Sequence, residues 1–174
     1  MKNVLLISGS LRKKSFNSGL LRAFADTLAG DASVSWADVN LPLFNEDLEA
    51  EFPLAAERLR EQVLAADAIV IATPEYNRGM SGALKNAIDW ASRPYGQNAW
   101  QGKRVLVAAT SPGGISGALA VYQVKQSLLH LNAEVIGQPE FMVGHAGDKF
   151  DAEGNLTDES TKDFVTKAIE TLLT

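Results

Sequence analysis

The chain has no cysteine among its 174 residues. That absence excludes disulfides, thiolate metal sites and a cysteine nucleophile together. Histidine is nearly as scarce. His130 and His145 are the only two, and neither is spaced with a third group as a metal-ligand set. No metal is therefore expected. Long hydrophobic runs are also missing. The apolar run nearest the N-terminus is Val4-Leu5-Leu6-Ile7, whereas a signal peptide needs about 7–15 apolar residues and a membrane helix about 20. A cytoplasmic protein with no membrane partner is the expectation. Asn155-Leu156-Thr157 has the form of a glycosylation sequon and is read as chance. Positive charge is not in excess either. At a net charge of −5 no nucleic-acid partner is expected.

What is present is an ordinary globular composition at a length that suits one domain over residues 1–174. Residues 4–7 are a continuous apolar run, and 68–73 and 104–110 are largely apolar, the pattern of strands buried on both faces. Residues 34–39 alternate weakly and read as a further strand, and 134–136 as a short last one. Helical spacing appears between them. Leu20, Leu21, Phe24, Ala25 and Leu28 share one face, and Gly30 closes that helix. Residues 54–66, 81–92 and 115–131 read as helices, and a final helix places Phe164, Val165, Ala168, Ile169 and Leu172 together. Residues 40–53, 93–102 and 137–158 read as loops. Strands alternating with helices predict an α/β fold: a flavodoxin-like three-layer sandwich, with a five-stranded parallel sheet in the order 2-1-3-4-5.

In that topology the ligand crevice lies beyond the carboxyl ends of strands 1 and 3. The loops there are residues 8–18 and 74–82. The first contains neither G-x-G-x-x-G nor G-x-x-x-x-G-K-[ST], so it is neither a Rossmann fingerprint nor a P-loop. It offers the hydroxyls of Ser10, Ser15 and Ser18, the Asn17 amide, the Arg12 guanidinium and a helix start near Asn17. Such donors suit a phosphate. They read equally well as an N-cap beside solvated basic residues. The strand ends, Ser8-Gly9-Ser10 and Thr73-Pro74-Glu75, lack the carboxylate pair with which a phospho-receiver domain holds its metal.

Three motifs go further. Gly9-Ser10-Leu11-Arg12-Lys13-Lys14-Ser15-Phe16-Asn17, Pro74-Glu75-Tyr76-Asn77 and Gly82-Ala83-Leu84-Lys85-Asn86-Ala87-Ile88-Asp89-Trp90 resemble the NADPH-dependent FMN reductase family. Within that family they are most similar to bacterial quinone and chromate reductases. The likeness runs on through Ser111, Gly117-Ala118, Tyr122 and Pro139-Glu140-Phe141-Met142. It implies an FMN-dependent oxidoreductase that passes two electrons from NADPH or NADH to quinones or similar acceptors, with chromate, azo and nitro compounds as further candidates. A reductase of free FMN and a non-enzymatic electron carrier are the alternatives, although the Thr/Ser-rich loop and strongly acidic surface of true flavodoxins are missing. The resemblance places Ser10, Arg12, Ser15 and Asn17 at the FMN phosphate, with Phe16 beside them. Pro74, Glu75, Tyr76 and Asn77 would line the ribityl chain and isoalloxazine through backbone groups, next to Arg78 and Gly79. Ser111, Gly113 and Gly114 would close the other side. No catalytic acid or base is implied. The family forms homodimers or homotetramers with the flavin near a subunit interface.

Two positions depart from the family pattern. Lys14 stands where relatives commonly have glycine, which matters only if that glycine supplied a positive φ. Arg78 stands where an aromatic or small polar residue is usual. It is expected to stack on the flavin, reach a nicotinamide phosphate or point to solvent, and substrate preference is the property it puts at stake. The Glu75 side chain is expected to be a surface acid. Lys85 and Asp89 read as a helix-surface pair and Trp90 as core; Tyr122 and Arg93 read as facing substrate or a partner subunit, with Tyr122 equally readable as a half-buried helix residue.

Overall fold

A computed structural model describes all 174 residues. Five strands enter the main sheet in parallel: β1 (Lys2–Ser8), β2 (Ala32–Ala37), β3 (Ala68–Ala72), then, beyond a small separate hairpin of β4 (Glu75–Tyr76) and β5 (Gly79–Met80), β6 (Arg104–Thr110) and β7 (Glu134–Val135). A sixth short strand, β8 (Phe141–Val143), also pairs with β6. The order is β2-β1-β3-β6-β7. Counted by sheet position this is the predicted 2-1-3-4-5.

The strand runs are largely apolar because both faces are covered. Val4, Leu6, Val70 and Leu106 pack towards α1 (Phe16–Leu28) and α5 (Glu159–Leu173). Leu5, Ile7, Ile69, Ile71 and Val107 pack towards α2 (Leu54–Ala65), α3 (Gly82–Ala91) and α4 (Ala118–His130). These nine side chains are at most 1% exposed, and each full burial contributes roughly 1.5–3 kcal/mol before entropy is counted. Trp90 is core, as expected. Its indole N–H donates to the Pro42 carbonyl at 2.8 Å, and Phe44 and Phe52 meet its ring edge-on. Residues 40–53 are thereby pinned to α3, and they include a 3-10 turn over Glu46–Glu51 that the loop reading did not anticipate. Lys85 and Asp89 form the expected surface pair at 2.7 Å, a contact of little energetic weight at this exposure.

Three boundaries differ from the sequence reading. Helix α4 starts at Ala118 rather than 115, because Ser116 and Gly117 have φ of 63° and 82° and cannot be helical. The long loop after residue 136 is not structureless. Gly137-Gln138-Pro139-Glu140 interrupts the last strand, and Phe141–Val143 then rejoins the far half of β6, with Ala108 opposite Phe141 and Thr110 opposite Val143. Finally, α1 begins at Phe16, slightly earlier than the apolar spacing indicated.

Helix α5 is started by Asp158. Its Oδ2 accepts from the Ser160 hydroxyl at 2.6 Å, from the Thr161 hydroxyl and N–H at 2.6 and 2.8 Å, and from Lys149 Nζ at 3.2 Å. The Ser160 and Thr161 hydrogen bonds hold its carboxyl well below the usual carboxylate range. A depressed native pKa contributes stability that is complete above the unfolded value of about 3.9 and disappears as pH falls towards the native one. Asp158→Asn is therefore expected to be less stable than wild type in urea titrations at neutral pH, with a clearly smaller gap at about pH 3. Gly19 gives a second expectation. A helix-interior Gly→Ala ordinarily gains about 1 kcal/mol, but a Cβ on Gly19 would lie 2.0 Å from the Gly154 carbonyl oxygen. The overlap is with backbone, which moves only at a cost of about 1–3 kcal/mol or more. Gly19→Ala should lower the urea midpoint, against the helix-propensity rule.

Candidate functional site: a cleft between three loops

The loop after β1 is folded by its own serines. The Ser8 and Ser18 hydroxyls lie 2.8 Å apart, and the Ser10 and Arg12 N–H groups bond to the Ser8 and Ser10 hydroxyls. Helix α1 then starts with Ser15 at its N-cap, and that side chain makes no capping bond. Helices α3 and α5 are capped by Ser81 and Asp158. Helix α2 also lacks a side-chain cap, but its N-cap residue is Pro53, which does not line this cleft. The Asn17 side chain is already engaged. Its Oδ1 accepts from the Thr110 N–H at 3.0 Å, and its Nδ2 donates to the Thr110 carbonyl at 3.1 Å. What Asn17 offers the cleft is its place in the first helical turn, not a free amide. Arg12 is exposed, with Nη2 3.2 Å from the Lys14 carbonyl. Lys14 is not among the positive-φ residues, so lysine sits there without strain.

The loop after β3 is a tight hairpin. Tyr76 pairs with Gly79 across a two-residue turn. Both turn residues, Asn77 and Arg78, have positive φ, at 51° and 67°, as a type I′ turn requires. Arg78 occupies the position that glycine usually fills. Its Nη1 lies 3.0 Å from Glu75 Oε1, while the side chain stays 63% exposed. The Glu75 side chain is not the expected surface acid. It is 8% exposed, and its Oε2 accepts from the N–H groups of Leu119 and Ala120 at 3.0 and 3.4 Å, in the first turn of α4. Ser81 ends the hairpin. Its hydroxyl donates to the Gly9 carbonyl at 2.5 Å and accepts from the Leu84 N–H at 3.1 Å, which joins the first two loops.

The loop after β6 is held by the segment beyond β8. Ser111 donates its N–H to the Val143 carbonyl and accepts from the Ala146 N–H, at 3.0 and 3.1 Å. Gly144 is a close fit, since a Cβ there would be 2.7 Å from the Ser116 hydroxyl and 3.2 Å from the Gly113 carbonyl oxygen.

The three loops enclose a cleft of two adjoining parts at the carboxyl end of the sheet, which share Glu75 and Ser111 in their walls. A narrow part of about 90 Å³ brings Ser10, Arg12, Ser15, Phe16 and Asn17 against Pro74, Glu75, Tyr76 and Ser111. A wider part of about 300 Å³ adds Asn77, Arg78, Gly113 and Gly114. Of the predicted site residues only Gly79 lines neither part; it lies on β5, where a Cβ would meet the Gln123 side chain at 3.0 Å. Thr110, Pro112, Ile115 and Gly117 also line the cleft and were not among the predicted site residues, although Gly117 lies in one of the family-like stretches. Thr110 is 3% exposed and its hydroxyl oxygen has no hydrogen-bond partner. Its position as the last residue of β6 was the signal available. A larger concavity of about 770 Å³ lies among Arg22, Asp26, Trp36 and Lys162. The outer surfaces of α1, α5 and β2, with Asn155 and Leu156 before α5, form it, and none of the loops after β1, β3 and β6 takes part. Chemically the narrow part suits an anion: hydroxyls, a guanidinium and an uncapped helix start meet there.

A family model described as NADPH-dependent FMN reductase matches residues 2–148. An NAD(P)H-dependent FMN reductase of Pseudomonas aeruginosa is 43% identical over 171 residues, covering 97% of this chain and 92% of that protein. A quinone reductase of Pseudomonas putida is 43% identical over 160 residues, covering 91% and 86%. Among solved structures, the flavoenzyme FerB, an NAD(P)H:(acceptor) oxidoreductase from Paracoccus denitrificans, superposes with a TM-score of 0.91 at 39% identity, over 99% of this chain and 95% of that one. On sequence and on fold alike, the chain belongs to the NADPH-dependent FMN reductase family.

Proposed function

We propose that residues 1–174 act as one FMN-binding unit that oxidises NADPH or NADH and delivers two electrons to a quinone-type acceptor. The observation that carries this reading is the start of α1, which faces the cleft with no side-chain cap, between Ser10, Arg12 and Ser15. A phosphate monoester is the group that such a donor set completes. Ser10, Arg12, Ser15 and the first-turn N–H groups of Phe16 and Asn17 hold the phosphate. Pro74 to Arg78 on one side and Ser111 to Gly114 on the other hold the ring system. Bound there, FMN supplies the hydride and electron chemistry. The chain orients it, keeps water from one face, and leaves the exposed Tyr76 and Arg78 at the mouth where a second substrate arrives. Arg78, ion-paired to Glu75, presents a partly neutralised cation to that substrate. The acceptor class rests on the quinone reductase among the relatives.

A homodimer or homotetramer in the cytoplasm completes the proposal. Leu119, Tyr122 and Leu129 are 42–59% exposed along α4, next to the cleft, and support an interface between copies. No helix is long and apolar enough to cross a membrane. Light scattering on the purified protein should give a mass of two or four chains; a monomer would remove this part.

The reading is tested by the visible spectrum and by steady-state oxidation of NADH and NADPH with a quinone panel. Purified protein should carry a flavin absorption band and turn over with quinone. A colourless protein that shows no flavin-dependent turnover after FMN is added would overturn the assignment. The phosphate site has its own test. Arg12→Ala and Ser15→Ala should each weaken FMN by about tenfold, as loss of a charge-assisted or neutral phosphate contact does, and leave riboflavin affinity unchanged.

A further inference from the structure

We propose that Glu75 is a positioning residue for the cofactor. By capping α4 from the hairpin, its carboxylate sets the spacing between the two loops that flank the flavin ring. The inference rests on the reading of the cleft as an FMN site.

Helix α4 cannot cap itself. Its N-cap residue is Gly117, at φ 82° and with its Cβ position 2.7 Å from the Ala109 Cβ, so no residue with a capping side chain fits there. The preceding Ser116 hydroxyl is engaged with the Gly114 carbonyl at 3.1 Å. The acceptor comes instead from β4, more than forty residues earlier in the chain, where Glu75 Oε2 takes the Leu119 and Ala120 N–H groups. Gln123 makes the other hydrogen bonds from α4 to the hairpin, with the Met80 N–H at 3.1 Å and the Arg78 carbonyl at 3.5 Å, and Met80 packs against the cluster that includes Val121 and Val124. The nearly buried carboxylate is balanced by Arg78 and by the positive end of the helix. Glu75 lines the cleft, and its N–H partners open the helix that directly follows the cleft-lining residues Gly113, Gly114, Ile115 and Gly117, so the cap sets the width of the wider part. The cap also fills one of the two helix starts that face the cleft. The start of α1 is left as the anion site, and a phosphorylated flavin is thereby oriented with its phosphate at α1 and its ring beside the α4 end.

The test titrates FMN and riboflavin into wild-type, Glu75→Gln and Glu75→Ala apoprotein by flavin fluorescence, with thermal unfolding of each apoprotein followed by circular dichroism. Glu75→Ala should weaken both flavins by about tenfold, because lost preorganisation of the ring site is common to both. Glu75→Gln keeps one acceptor and should weaken both by a smaller factor, about threefold; it carries the test should the alanine variant fail to fold. Both variants binding both flavins within about twofold of wild type, whatever their melting temperatures, would make the cap merely structural and overturn the proposal. Loss of FMN affinity alone, with riboflavin unaffected, would also overturn it by placing Glu75 at the phosphate. A wild-type protein that binds neither flavin would overturn the reading of the cleft itself, which is a separate result.

Discussion

The side-chain amide of Asn17 is the contact on which the geometry of the cleft depends. It meets both the N–H and the C=O of Thr110, and so substitutes for a strand neighbour at the last residue of β6. These are buried backbone groups, and leaving either unpaired costs about 1–3 kcal/mol. The same side chain sits in the first turn of α1. One residue thus fastens the open start of α1 to the strand that leads into the third loop. Ser81 acts similarly between Gly9 and α3, and Glu75 between the hairpin and α4. The cleft is a set of loops tied to each other by side chain–to–backbone bonds, above a sheet that only sets where they start.

The chemistry follows from which donors remain after those ties are made. Ser81, Glu75, Asp158 and the Asn17 amide all have partners within the chain. The Ser15 side chain and the N–H groups of the first α1 turn have no side-chain acceptor, and the Thr110 hydroxyl has no partner at all. A negative ligand at that end is favoured by the same electrostatics that would penalise it at α4, where a carboxylate already sits. Selectivity for orientation therefore needs no dedicated side chain beyond the two helix starts, one filled and one open.

The sheet was legible because β1, β3 and β6 are buried on both faces and so read as largely apolar runs. Strand β8 was not, since three residues between Pro139-Glu140 and Gly144 are too few for any period to show. The hairpin was missed for a related reason. A type I′ turn announces itself by glycine at its second position, and Arg78 takes that place with φ 67°. Most of the cleft was visible as motifs, because motif residues lie close together in the chain. The role of the Glu75 side chain was not, because its partners are backbone N–H groups of Leu119 and Ala120, and backbone leaves no mark in a sequence. The Asn17 amide, expected to be offered to a phosphate, is instead bonded to the backbone of Thr110, another partner that leaves no mark in a sequence.

The divided last strand has a consequence of another kind. An edge strand displays a row of unpaired N–H and C=O groups, a template on which a second chain can add a strand and begin to aggregate. Here that edge consists of two residues in β7 and three in β8, separated by a segment that contains Pro139 and Gly137. No uninterrupted row of groups is long enough to seed such an addition. The interruption that hid the strand from a pattern search also guards this edge of the sheet against strand addition; the opposite edge is the unbroken β2.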